Sequence, residues 1–411
     1  MHFKKQLLAA AISSLFVSSA WATNGYAPHG IGQKSQGMGG AGVAYSQDAL
    51  AGGVNPAGMV HVGNRIDLGV NLFRPQREST FIPTGITYDG NDKDLFLIPE
   101  FGYNRMLDAN SSFGVSVFGT GGMNTDYDTN PYGAFGMSGP AGVDLMQLFI
   151  VPTYAIKLNE NHSVGIGLNL AAQAFAAKGI AGFGAFGGSQ DPANVSDNGH
   201  DTSYGAGLRI GWQGKVSDRV TLGATYQTRT YMSEFDDYAG LFAEQGDFDI
   251  PENFAIGIAV AATPKLNIAF DIMRINYSDV NSIGNPNNHP FFGGTGVLGT
   301  DNGAGFGWED QTIYKLGFDY AYSKNLTLRA GFNHADNPIP SSQTTFNVLA
   351  PGVVEDHLTL GATWTMADGN ELTFSYMHAF ENDVNGNMTP TGSYNLKMYQ
   401  DSIGVAYSWK M

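Results

Sequence analysis

From Ile66 to the end of the chain, apolar and polar positions alternate with a period of two. Ile66, Leu68, Val70 and Leu72 alternate with Asp67, Gly69 and Asn71. The same rhythm runs through Tyr204, Ala206, Leu208, Ile210 and Trp212, and through Leu266, Ile268, Phe270 and Ile272. It returns in Tyr314 to Tyr322, in Leu358 to Trp364, and in Ile403, Val405, Tyr407 and Trp409. A period of two sends successive side chains to opposite faces of a strand. Each run is about 10 residues, the length a tilted strand needs to cross a bilayer. Short polar turns at 107–110, 159–162, 217–219, 263–265, 323–325 and 367–370 separate the runs in pairs. Long irregular loops at 75–92, 121–144, 177–201, 234–252, 278–310, 337–354 and 381–393 join the pairs. Short turns on one side and long loops on the other predict an all-β fold, a transmembrane antiparallel β-barrel of about 14 strands. An even count puts both chain ends on the periplasmic side. A β-sandwich or propeller shares the periodicity, and it is strand length, turn asymmetry and a leader segment that separate the readings. Trp212, Trp364 and Trp409 fall on the apolar face near the short-turn ends, where an aromatic girdle belongs. Trp308, in a loop, is expected at the opposite interface.

Two segments ahead of the strands break the rhythm. Residues 1–22 read as a secretory signal: Lys4 and Lys5 precede an apolar run from Leu7 to Ser19, and Ala20-Trp21-Ala22 is a small-residue cleavage site. The stretch 23–60 is too glycine-rich for a stable helix and too apolar for a free tail. It is expected to be a compact plug inside the barrel. The chain therefore divides into a signal peptide (1–22), a hatch (23–63) and a barrel (64–411).

Composition narrows the chemistry. Charged residues make up 14% of the 411, against about 25% in an average soluble domain. Cleavage removes Lys4 and Lys5, leaving 19 basic against 37 acidic residues, a formal charge near −18. Such a surface argues against nucleic acid, which needs clustered Lys and Arg. The absence of Cys excludes a disulfide scaffold or thiolate metal site and suits a protein that crosses an oxidising periplasm. Gly37 to Gly42 and Gly182 to Gly187 match G-x-G-x-x-G, but neither opens a helix after a strand, so nucleotide binding is discarded. Asp126-x-Asp128-x-Asn130 begins like a calcium loop, yet Pro131 replaces the turn glycine and Met137 the bidentate Glu. A solvated loop, holding divalent cations with lipopolysaccharide, is the better account. His357, His378 and scattered Ser do not converge on a nucleophile and base, so no enzyme, metal or cofactor is expected.

The inward face carries Asp67, Arg209, Arg229, Asp271, Lys315, Asp319 and Arg329, which predicts a polar lumen. Phe73, Phe118, Phe175, Met273 and Met377 also point inward, late in strands that rise from the short turns. With Arg229 at similar height they suggest a greasy pocket with a cation at its mouth, suited to an amphipathic acid. Packing against the plug accounts for them equally well. Two long loops are apolar, with Phe135 and Met137 in one and Phe183 and Phe186 in the other. They suggest a landing site for hydrophobic ligands; contact between loops is the alternative.

The stretch Gly37-Met38-Gly39-Gly40-Ala41-Gly42, with Ala44, Asp48-Ala49 and Asn55-Pro56-Ala57, resembles the N-terminus of the FadL/TodX-type outer-membrane transporters of long-chain fatty acids and hydrocarbons. Asn55 is placed to cap a short helix with Pro56 in its first turn. The resemblance implies a monomeric, passive carrier among outer-membrane lipid and lipopolysaccharide. Hydrophobic ligand, most naturally a long-chain fatty acid, is caught by outer loops and passes to a lumenal pocket. The hatch then shifts, and ligand leaves sideways at a kinked strand. Gly119, Gly121 and Gly122 are the expected kink, since clustered glycine weakens pairing. A hydrocarbon carrier of the same family and a general diffusion porin are the alternatives. Lys410-Met411 after Trp409 departs from the aromatic end common in outer-membrane barrels.

Overall fold

The computed structural model describes residues 24–411; the signal segment 1–22 lies outside the described residues. Fourteen antiparallel strands close into a barrel. In chain order they are β1 (Arg65–Phe81), β2 (Phe96–Met106), β3 (Ser111–Tyr127), β4 (Ala141–Lys157) and β5 (His162–Lys178). Next come β6 (Asp201–Ser217), β7 (Val220–Gln227), β8 (Asn253–Thr263), β9 (Leu266–Ile275) and β10 (Gln311–Ala321). The last are β11 (Leu326–Ala335), β12 (Asp356–Thr365), β13 (Glu371–Val384) and β14 (Tyr394–Lys410). Each pairs with its neighbour in sequence, and β14 returns to β1 from Arg65↔Lys410 to Phe81↔Tyr394. Closure pairs the first strand with the last, so neither terminal strand is left as an open edge in the bilayer.

The outward face is the apolar one. Leu68, Ile166, Leu208, Ile256, Leu360, Phe374 and Ile403 are exposed on the convex surface, as a hydrocarbon solvent requires. Trp364 and Trp409 lie exposed near the short-turn rim, and Trp212 stacks on His162 there at 5.8 Å. Trp308 departs from expectation. It is buried in the lumen, where its indole N–H donates to Asn347 Oδ1 at 2.6 Å and its ring meets Tyr26 and Tyr277. A buried indole needs such an acceptor.

Several strands outrun the expected loop boundaries. β1 continues through Pro75 to Phe81, and β3 and β4 extend to Tyr127 and back to Ala141. Pro75 reads as a breaker, but past Phe73 β1 has lost β2, and until the short strand Ile86–Asp89 joins it at Glu78 it keeps only β14. That edge position tolerates a missing N–H.

Residues 24–64 lie inside the barrel. They form a one-turn helix (Gln33–Gln36) and two 3-10 turns (Ala49–Gly53 and Pro56–His61). Asn55 caps the last turn by accepting from Ala57 N–H at 3.1 Å, and its Nδ2 donates to Val43 O (2.7 Å) and to Trp212 O on β6 (3.0 Å). The wall accommodates this contact with glycine. A Cβ on Gly211 would stand 2.0 Å from Asn55 Oδ1, and one on Gly165 2.3 Å from the Pro56 carbonyl carbon. The glycines of these strands are therefore the space the plug occupies.

Candidate functional site

The plug is held by hydrogen bonds to inward side chains all around the wall. Asp67 accepts from Ala49 N–H at 2.8 Å, and Glu100 accepts from Gln33 N–H at 3.2 Å. Thr359 accepts from Gly39 N–H at 2.7 Å. Asp271 Oδ2 accepts two plug amides, Gly42 at 2.7 Å and Val43 at 3.0 Å. Lys34 reaches Glu371 at 2.6 Å, beside Arg65, which pairs with both Asp67 (2.7 Å) and Glu371 (3.2 Å). Lys34, Arg65, Asp67 and Glu371 are buried, a costly placement that their pairing and hydrogen bonds offset. His29 of the plug stacks near His357 at 6.2 Å. Burial, with His357 and Lys315 close by, pushes its pKa down to about 3, so it sits there as a neutral ring.

Above this network a cavity of about 80 Å³ remains between plug and wall. Tyr26, Ile31, Val43 and Val54 of the plug and Ile250, Met273, Ile275 and Tyr277 of the barrel give it an apolar lining. Three charged side chains also face it: Arg209 on β6, Asp271 on β9 and Lys315 on β10. Arg209 is buried, donates to Gln227 Oε1 and leaves its Nε without a partner. Lys315 stands opposite Asp271 in the β9–β10 register, yet neither it nor Arg209 has a carboxylate within ion-pair distance among the described residues.

 

The wall beside this cavity is interrupted. β2 and β3 pair from Met106↔Ser112 only as far as Phe101↔Val117. Beyond that, β3 stays with β4 but slips by one residue between Gly119 and Gly121, which makes Thr120 a bulge. This bulge lies within the cluster Gly119, Gly121 and Gly122. Thr120 lines the cavity, and Gly122 N–H donates to Tyr26 O of the plug at 3.2 Å. Phe118, just below, packs edge-on against Phe149 at 6.0 Å, in a cluster with Leu50 and Ile250.

The other expected site residues separate into groups. Met273 lines the cavity. Phe73 and Met377 are buried in the core above it. Phe175 meets Tyr238 (4.8 Å) and Phe242 (4.7 Å) and borders a second, apolar cavity of about 30 Å³ with Phe183 and Phe346. Arg229 is not the cation of the main cavity. β7 ends at Gln227, and Arg229 lies in the following loop, 3.7 Å from Asp249 and bonded to Asp279 O. The cations that line that cavity are Arg209 and Lys315.

The apolar loops pack mainly on one another. Phe135 meets Phe291 (5.6 Å) and Phe292 (5.5 Å), Phe183 meets Tyr132 (5.0 Å) and Phe346 (4.9 Å), and Met137 is buried. Phe186 alone of the four is fully exposed, at φ 54°.

In the loop after β7, burial and the neighbouring Asp249 and Glu244 push Asp247 up to about 7. The folded loop thus holds a proton that the unfolded chain releases near the ordinary carboxylate pKa. Stability from Asp247 is full in acid and is lost as pH rises toward 7. Hydrogen exchange across 228–252 should therefore slow between pH 8 and pH 5 (after correction for intrinsic rates), and Asp247→Asn should reduce that dependence. An equal pH response in the variant would reject the assignment.

The family model described as outer membrane protein transport protein (OMPP1/FadL/TodX) matches residues 9–410. No curated protein matches the chain in sequence. The toluene transporter TodX of Pseudomonas putida superposes with a TM-score of 0.71 at 18% identity, over 95% of this chain and 100% of that one. A FadL homologue of Pseudomonas aeruginosa gives 0.69 at 17%, over 94% and 99%. The toluene transporter TbuX of Ralstonia pickettii gives 0.68 at 18%, over 93% and 99%. At these identities the likeness is one of fold. The family match covers nearly all of the chain, which therefore belongs to the OMPP1/FadL/TodX family of outer membrane transport proteins.

Proposed function

We propose that this protein takes up hydrophobic compounds bearing an acidic head, long-chain fatty acids foremost, and releases them sideways into the outer membrane. The observation that carries the substrate reading is the pair of buried cations, Arg209 and Lys315, facing a mainly apolar cavity with no carboxylate within ion-pair distance among the described residues. Burying a charge is costly unless it is paired, and a ligand carboxylate would supply the pair. Asp271 in the same lining keeps the plug amides and stands opposite Lys315.

In this reading the short-turn rim and both chain ends face the periplasm. Ligand meets the outer loops, where Phe186 is exposed, and crosses the apolar cavity beneath them. It then reaches the cavity at Arg209. That cavity, at about 80 Å³, is smaller than the roughly 150 Å³ pocket that holds benzene. Entry therefore requires the plug to move, and Tyr26, bonded to the β3 bulge, is the part that must give way. The exit is the gap at Thr120. A greasy tail passing there enters lipid directly and never crosses water.

The test is Thr120→Trp, which fills the gap. Whole-cell uptake of a radiolabelled fatty acid should fall several-fold, and by more than any loss of binding to the purified barrel, which is measured alongside because Thr120 also lines the cavity. Unchanged uptake by a folded, surface-exposed variant would reject lateral exit. A second reading, a carrier of single-ring hydrocarbons, is favoured by the small cavity and by the toluene named for two of the similar structures. A general diffusion porin fits poorly with a lumen occupied by residues 24–64.

A further inference from the structure

The gap between β2 and β3 is framed on every side. Its lower edge is the last paired step, Phe101↔Val117. Its upper edge is a segment of the β1–β2 loop, residues 90–94, which crosses to the top of β3. Asp92 N–H donates to Asp126 O at 3.2 Å and Asp126 N–H to Gly90 O at 3.1 Å, with Asn91 and Asp126 bridged in parallel. Lys93 reaches past β3 to Asp144 on β4, 2.7 Å away, and lies over the Phe96 ring at 5.5 Å.

Arg77, buried at the top of β1, ties these parts together. Its guanidinium donates to Lys93 O at 2.8 Å and to Asn91 Oδ1 at 3.3 Å on the segment, and to Asn124 O and Oδ1 on β3. Its own N–H donates to Asn91 Oδ1 at 2.8 Å. One buried side chain of β1 thus joins the segment to β3 across the top of the gap. Such a concentration of bonds is not needed to end a surface loop, which water would satisfy.

We propose that residues 90–94 form a strap that sets the size limit for lateral passage, latched by Arg77 and by the Lys93–Asp144 pair. The inference rests on the lateral-exit reading. The strap keeps β3 from peeling further from β2, so the gap admits a narrow chain and refuses a bulky one. Loosening the latch lengthens the gap upward.

The experiment compares uptake of a linear radiolabelled fatty acid with that of a pyrene-tagged one of equal chain length. Cells carry the wild type, Lys93→Met, Arg77→Met, or the exchanged pair Lys93→Asp with Asp144→Lys. Surface level and heat-modifiable migration confirm folding. Lys93→Met should raise tagged over linear uptake several-fold, Arg77→Met should raise it further, and the exchanged pair should return it toward wild type. Lys93 is partly exposed, so its variant tests the idea even where Arg77→Met fails to fold. An unchanged ratio in folded Lys93→Met overturns the strap. Thr120→Trp in the same assay separates the two claims. If it blocks the linear acid while the ratio stays fixed, only the strap is wrong; if it blocks nothing, lateral exit falls and the strap with it.

Discussion

A barrel lacking residues 23–60 will conduct small ions and sugars that the full chain excludes. The strand ladder closes through β14 and β1 without help from the plug, so the truncated barrel retains its hydrogen-bonded wall. The plug's partners on that wall, Asp67, Glu100, Asp271 and Thr359, are polar. Water entering the emptied lumen replaces the lost bonds at little cost. The apolar outward face is untouched and still matches the bilayer. Liposome swelling and single-channel conductance measure the outcome. A folded, truncated barrel that stays sealed to sugars would mean that the outer loops, not the plug, close the path.

Lys315→Met will weaken binding of a long-chain fatty acid while leaving a neutral hydrocarbon of similar size little changed. A hydrogen bond to a charged group contributes about 1.5–3 kcal/mol, and 1.4 kcal/mol is about tenfold in affinity. The expected loss is thus roughly 10- to 100-fold for the acid. Lys315 is the cleaner probe, because Arg209 also donates to Gln227 and its removal leaves that buried amide short of a partner. The double change with Arg209→Met should cost more than either alone. Arg229→Ala serves as the control: its guanidinium is engaged outside the cavity lining, by Asp249 and Asp279 O. Titration calorimetry on the purified barrel reads both ligands. Equal loss for acid and hydrocarbon would show that the cations shape the plug rather than recognise a head, and no loss for either would reject the site.

Much of the wall was legible because each strand reports its own surroundings. Ile66 to Leu72 alternate because one face meets lipid and the other meets the plug, and that record is local. The glycine cluster at Gly119–Gly122 marked the bulge for the same reason, since missing side chains weaken pairing wherever they stand. Asn55-Pro56-Ala57 carried its own cap and first helical turn.

What stayed hidden depends on how distant strands line up. Arg209 and Lys315 were readable as inward charges, but that they flank one cavity follows from the register of β6 through β10. Arg229 shares their inward phase in the sequence, yet β7 stops two residues before it. Trp308 looked interfacial because its loop is long, and only the fold turns it inward to Asn347. The gap needs a bulge in β3 and the early parting of β2, and no single segment records both. The sequence by itself thus determined the barrel, the faces of its strands, the plug and the weak point in β3, because each follows from local contact with lipid, water or a neighbouring turn. Tertiary structure alone decided which charges meet at the cavity and what frames the gap, because those depend on side chains that strand register brings together from remote parts of the chain.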